Sequence, residues 1–143
     1  MRTRQLNHSV YQTQYHIVWS TKYRHKFLKP YVKKELFEMF KQIVKKDPIL
    51  YIHQVNTGED HVHMQIEIPP KYSVAAVVKV LKQETSRELR QKFKFIDKMY
   101  LHSGVWSVGY FVSTIGLNEE QIKKYIKKQS DTDEGVDLSA EFA

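Results

Sequence analysis

The 143-residue sequence contains no cysteine. That excludes a disulfide framework and any thiolate metal site. Long apolar runs are also missing, so nothing approaches the roughly 20 residues that a membrane-spanning helix needs. The opening residues, MRTRQLNHSVYQTQ, are basic but lack the apolar core of a secretory signal. No internal repeat or low-complexity linker interrupts the chain, and its length is that of one domain. A cytoplasmic protein with no membrane partner is expected.

Negative charge is scarce outside the last fourteen residues. The segment from Ser130 to Ala143 carries Asp131, Asp133, Glu134, Asp137 and Glu141 and no lysine or arginine. The remaining body holds 23 bases against 11 acids, a net +12, within a chain whose overall charge is +7. Such a body attracts polyanions, of which nucleic acid is the commonest. Charge of this kind selects a class of partner and not an activity. Residues 1–129 are read as one domain, and residues 130–143 as a flexible acidic tail.

Periodicity supplies the elements. YQTQYHIVWST (11–21) alternates β-branched and aromatic residues and reads as a strand. Residues 31–46 place Val32, Leu36, Phe37, Phe40 and Val44 at helical spacing, and Asp47-Pro48 ends that helix. ILYIHQVNTG and HVHMQIEI read as a hairpin turning at Thr57–Asp60, and Pro69-Pro70 stops its second strand. Ser73 caps a long helix buried through Val74, Val77, Val78, Leu81 and Leu89. GVWSVGYFVST (104–114) reads as the last strand, followed by a helix over 119–129. The order βαββαβ plus one helix predicts an α+β, ferredoxin-like fold, an antiparallel sheet with helices on one face. Many activities use that fold, so it predicts none.

Two small constellations carry chemistry. In EDHVHMQIEIPP, strand alternation puts His61, His63, Gln65 and Glu67 on one face and Val62, Met64, Ile66 and Ile68 on the other. The apolar row belongs under the helices, which leaves the histidines on the open face, close enough together to share a metal ion. Chance alone supplies a His-x-His in roughly one chain in three of this histidine content. Two ligands are also too few for a catalytic site. In STIGLNEEQIKKYIKKQ, the residues NEEQ form a capping box, with Asn118 as N-cap and Gln121 at N3. Leu117 and Ile122 hold the positions of a hydrophobic staple. Tyr125 and Gln129 are four apart and share a face. The helix has only Ile122 and Ile126 as apolar anchors, which predicts light docking, and Gly116 ahead of it is a natural hinge. A tyrosine on a basic helix is more often a packing residue than a nucleophile.

Together the two make chemical sense. Transfer of a phosphodiester needs an activated nucleophile and a Lewis acid on the non-bridging oxygens. His61 and His63 offer two nitrogen ligands, the Gln129 amide oxygen a third, and Tyr125 a nucleophile one turn from that ligand. A phenol with a pKa near 10 is only about 0.1% ionised at neutral pH, so the metal or nearby lysines have to lower that cost.

The stretches KYRHK, DHVHM, VWSVGYFVSTIG and IKKYIKKQ, in that order, resemble the single-tyrosine HUH transposases of insertion sequences. The likeness spans about Tyr15 to Gln129. It implies that His61, His63 and Gln129 are metal ligands and that Tyr125 is the nucleophile. It further implies cleavage and rejoining of single-stranded DNA at the ends of a prokaryotic element through a 5′-phosphotyrosine. Recognition of DNA hairpins, a magnesium or manganese cofactor and a homodimer complete the expectation; in such dimers the tyrosine helix can complete the partner's site. Lys22, Arg24, Lys26, Lys79, Lys82, Arg87 and Arg90 are the candidate DNA contacts, each weighed against an ordinary exposed charge. Two alternatives share the fold: a repeat-associated relative with the same chemistry, and a nucleic-acid-binding module without catalysis. A histidine phosphoesterase stands last, because the second His-x-His or His-x-Thr/Ser it needs is absent.

Overall fold

The structure, a computed structural model, describes residues 4–6, 9–11, 13–114 and 116–133. Two three-residue strands, β1 (Arg4–Leu6) and β2 (Ser9–Tyr11), pair with each other ahead of the main sheet. The main sheet consists of β3 (Gln14–Ser20), β4 (Tyr51–Thr57), β5 (His61–Glu67) and β6 (Phe111–Ser113), in the spatial order β4-β5-β3-β6. Every pairing within it is antiparallel. Helix α1 (Pro30–Lys46) connects β3 to β4, and α2 (Val74–Lys92) follows β5. This is the expected βαββαβ order and the α+β, ferredoxin-like sheet.

Alternation along β3 and β5 decides the two faces. Ile17 pairs with Met64 and Trp19 with Val62, and all four are fully buried beneath α1 and α2. Trp19 meets Phe40 and Trp106 edge to face, with ring centroids 6.1 and 5.9 Å away. Helix α1 begins with a proline, whose missing N–H costs nothing in the first turn. Its buried residues are Val32, Leu36, Met39, Phe40 and Ile43, whereas the expected Phe37 and Val44 are only half-buried. The stripe is therefore rotated slightly from the predicted one. Helix α2 starts at Ser73, whose hydroxyl accepts the Ala76 N–H at 3.0 Å, and buries Val77, Val78, Leu81 and Leu89 as expected; Val74 is half-buried.

Two expectations about extent need correction, and one short helix was not expected. The last strand does not run over 104–114: only Phe111–Ser113 is a strand, with a single bridge between Trp106 and Thr21. Trp106 turns inward onto Trp19 and Phe27, and Gly109 at φ +90° breaks the extended run. The Lys82 ammonium holds the bent segment by donating to the Ser107 and Gly109 carbonyls. A short helix, α3 (Lys94–Met99), restarts after one extended residue at Phe93; it carries no side-chain cap that would have announced it. The last helix, α4 (Glu119–Asp133), continues four residues past Gln129, where the helix was expected to end. Residues 134–143 of the acidic segment lie outside the described residues. Among the described residues no helix is long and apolar enough to cross a membrane.

Candidate metal and nucleophile site

Paired strands carry directly opposed side chains to the same side of a sheet. His61 lies opposite Ser20, His63 opposite Val18, and Gln65 opposite His16. Both histidines are therefore on the face away from α1 and α2, as alternation predicts, and each is half-buried. Val18, with Phe111 opposite it on β6, is apolar on that face, and α4 lands there: Val18, Ile122 and Ile126 form a small cluster, with Leu117 and Tyr125 packed against it. The helix of Tyr125 and the histidine pair thus occupy one face of the sheet.

The start of α4 is built as its sequence suggests. Asn118 Oδ1 accepts the Gln121 N–H at 2.8 Å, and Gln121 Oε1 accepts the Asn118 N–H at 3.0 Å. Leu117 joins the cluster of Ile122, consistent with a staple. Gly116 precedes the helix and faces His16, whose Cε1 lies 4.0 Å from where a β-carbon would stand.

Each histidine has a defined neighbour. His61 Nδ1 is 3.0 Å from Asp60 Oδ1, and Arg24 Nε donates to Asp60 Oδ2 at 3.3 Å. The His61 hydrogen bond and Arg24 together hold the Asp60 carboxyl below its ordinary range, against the opposing effect of burial. Gly58 lies against the His61 ring: a β-carbon there would come within 2.3 Å of Cε1. His63 Nε2 is 3.4 Å from His16 Nδ1. Burial first, then the neighbouring His16 and His61, lowers the His63 pKa from the ordinary 6.5. Sequence spacing did not single out His16 or Asp60. His16 needed the strand register to reach His63. Asp60 was legible as the residue next to a candidate ligand.

Tyr125 and Gln129 emerge on one face of α4, and both end in buried atoms without a hydrogen-bond partner among the described residues, Tyr125 Oη and Gln129 Oε1. Neither is hydrogen-bonded to His61 or His63. Tyr125 leans on Phe111 of the edge strand, with ring centroids 5.9 Å apart, and Gln129 lies beside Gly109. Burial, reinforced by the Asp133 carboxylate, raises the Tyr125 pKa above the ordinary 10. Both effects disfavour the phenolate; of the two expected sources of relief, a metal or nearby lysines, the lysines give none among the described residues. Asp133, at the far end of α4, accepts from the Tyr23 N–H at 3.0 Å and from the Ser107 hydroxyl.

The expected DNA contacts divide. Lys26, Lys79 and Arg87 are exposed. Lys22 is half-buried, with its ammonium 5.3 Å from the Tyr23 ring centroid. Arg24 is engaged by Asp60, and Arg90 Nη1 donates to the His102 carbonyl at 2.9 Å. Lys82 is committed to the Ser107 and Gly109 carbonyls, and burial pushes its pKa down to about 8. Lys82, Arg87 and Arg90 come together around one surface hollow with Trp106.

Among the described residues no three His, Cys, Asp or Glu side chains form a metal-holding group. The Gln129 amide oxygen, buried without a partner among the described residues, is a donor of another kind on the same face of the sheet. Two imidazole nitrogens and an amide oxygen suit magnesium or manganese, with the nitrogens favouring manganese.

Comparison with known proteins places the chain in a family. A family model described as "Transposase IS200 like" matches residues 9–129. The transposase for insertion sequence element IS200 of Salmonella typhimurium is 30% identical over 138 residues, covering 96% of this chain and 90% of that protein. The ISDra2 transposase TnpA of Deinococcus radiodurans is 29% identical over 123 residues, covering 85% and 87%. A crystal structure of a Deinococcus radiodurans R1 protein assigned as a transposase superposes with a TM-score of 0.76 at 26% identity, covering 88% of this chain and 97% of that one. A REP-associated tyrosine transposase bound to a REP hairpin shares the fold, with a TM-score of 0.53 at 10% identity, over 87% of this chain and 68% of that one. With its family model spanning most of the chain and its relatives matching nearly end to end, this protein belongs to the IS200-like transposase family.

Proposed function

We propose that this protein cuts and rejoins single-stranded DNA at the ends of an insertion sequence, with Tyr125 as nucleophile and a divalent metal held by His61, His63 and Gln129. The observation that carries the reading is the pair of buried, unpartnered atoms, Tyr125 Oη and Gln129 Oε1, on one face of α4. A buried polar atom without a partner costs about 1–3 kcal/mol. Two of them one helical turn apart, on a helix docked beside a histidine pair, fit groups held for a ligand.

In the proposed reaction the Tyr125 oxygen attacks a backbone phosphorus. An Oη–P bond forms, the P–O3′ bond breaks, and the 3′ oxygen leaves as a hydroxyl once protonated. The product is a 5′-phosphotyrosine, which keeps the bond energy for rejoining when a 3′-hydroxyl attacks in turn. When bound, magnesium or manganese supplies Lewis-acid stabilisation of the non-bridging oxygens. His61 and His63 would contribute imidazole nitrogens, and burial with the neighbouring His16 and His61 disfavours the protonated form of His63. Burial against Phe111 disfavours ionisation of Tyr125 in the docked position, so the reaction needs a bound metal or a shift of the helix. A homodimer whose helices complete each other's sites would meet that need, with the Gly116 segment as hinge. Exposed Lys26, Lys79 and Arg87 would contact the phosphates of hairpin-bearing DNA.

The test is a denaturing-gel assay for a covalent protein–DNA adduct on a hairpin-bearing single-stranded oligonucleotide. An adduct is expected with Mg2+ or Mn2+, lost on chelation and lost in Tyr125→Phe. Cleavage without an adduct refutes Tyr125 as nucleophile. An adduct indifferent to chelator and to His63→Ala refutes the metal site.

A further inference from the structure

Between the strained turn after β3 and the histidine pair, Arg24 and Asp60, two side chains that the reaction above does not use, lead to His61. Arg24 Nε donates to Asp60 Oδ2 at 3.3 Å, and Asp60 Oδ1 lies 3.0 Å from His61 Nδ1. The carboxylate is well enclosed, its side chain 13% exposed, while Arg24 remains 46% exposed. Asp60 is also fixed through its backbone, since its carbonyl accepts the Thr21 N–H at 2.9 Å and the Thr21 hydroxyl at 3.3 Å. Arg24 sits at φ +54°, next to Tyr23 at φ +60°. Left-handed backbone at two successive non-glycine residues is uncommon and persists where surrounding structure demands it.

The chemistry of the contact is directional. A carboxylate can only accept, so the shared proton sits on His61 Nδ1. A neutral imidazole carries one ring proton, and the tautomer with Nδ1–H leaves Nε2 with its lone pair available to a cation. Gly58 packs against the ring near Cε1 and Nδ1, where even a methyl group would collide. The ring is thus held by a hydrogen bond on one nitrogen and by close backbone packing. His63 has no such carboxylate; its neighbour is the imidazole of His16.

We propose that Asp60, itself positioned by Arg24, is the positioning residue of the metal site: it holds His61 in the Nδ1–H tautomer and presents Nε2 as the ligand. The proposal rests on the metal-site reading above. It assigns Arg24 to the metal site in addition to any role in DNA binding, and gives the turn carrying Arg24 its reason for strain. Carboxylates that orient a ligand histidine typically tune metal affinity by 10–100-fold.

Metal binding without DNA tests this, read as loss of the free Mn2+ electron paramagnetic resonance signal on titration into the full-length protein. His61→Ala and His63→Ala serve as references for the site. Asp60→Asn is expected to weaken Mn2+ binding by about 10-fold or more, because its amide can donate to Nδ1 and favour the opposite tautomer. Nitrogen-15 spectra of the metal-free protein should show the His61 proton on Nδ1 in the wild type and redistributed in Asp60→Asn. Should Asp60→Asn lose its fold by circular dichroism, Arg24→Gln carries the affinity test, with a several-fold loss expected. Mn2+ affinity within twofold of wild type in the folded variant, or a wild-type His61 protonated at Nε2, overturns the proposal. Wild-type protein that binds no Mn2+ overturns this proposal together with the metal site. An adduct that fails to form while Mn2+ binding still depends on Asp60 removes only the nucleophile.

Discussion

His16 Nδ1 and His63 Nε2 lie 3.4 Å apart across the two central strands of the sheet. Together with burial, this pairing lowers the His63 pKa from the ordinary 6.5. Below 6.5 the unfolded chain then takes up a proton that the folded protein resists. Stability from His63 is complete above the unfolded value and falls as pH drops from about 6.5 through the folded value. Urea midpoints should decline between pH 7.5 and pH 5, and the decline should be shallower in His63→Asn. An equal slope in the variant would assign the titration elsewhere. The Asp60 carboxyl, lowered from 3.8, contributes only in a more acidic window.

Tyr125→Phe should make the protein more stable while abolishing its chemistry. Among the described residues the hydroxyl is buried without a partner, so its removal relieves a desolvation cost, and the ring keeps its contact with Phe111. A gain of about 1 kcal/mol is expected, at the lower end of the cost of an unsatisfied group. Chemical denaturation checks it. A loss of stability instead would show that the hydroxyl has a hydrogen-bond partner in solution.

Ile126→Ala should loosen α4 and leave the rest of the fold in place. Ile126 is 3% exposed, but its cluster contains only two other buried residues, Val18 and Ile122, separate from the main core. Large-to-small changes in cores cost about 2–5 kcal/mol, and this small cluster belongs at the low end. Hydrogen exchange should accelerate in α4 well beyond any change in α1 and α2. Uniform acceleration throughout the protein would mean that α4 is part of the global folding unit.

Much of this architecture is legible in local sequence. Period-two alternation assigned the faces of β3 and β5, NEEQ announced the start of α4, and Ser73 that of α2. The misses share one cause, because local pattern does not report where a side chain finds its partners. GVWSVGYFVST reads as a strand through its β-branched and aromatic content, yet Trp106 is worth more packed against Trp19 than extended in a ladder. The four residues after Gln129 read as tail because they are polar, but Asp133 has acceptor contacts on Tyr23 and Ser107 that hold the helix end. Lys82 read as a surface charge until the bend at Gly109 brought two carbonyls to it.

The candidate site divides in the same way. Sequence alone determined that His61 and His63 share the open face and that Tyr125 and Gln129 share a helical face, because strand and helix periods are properties of the backbone. Only the tertiary structure decided that α4 lies on the histidines' face, since that depends on Val18 and Phe111 offering it an apolar landing. It alone brought Asp60 and Arg24 to His61, His16 to His63, and Tyr125 to rest against Phe111. Strand register and helix docking join residues far apart in the chain, and no local period encodes those distances.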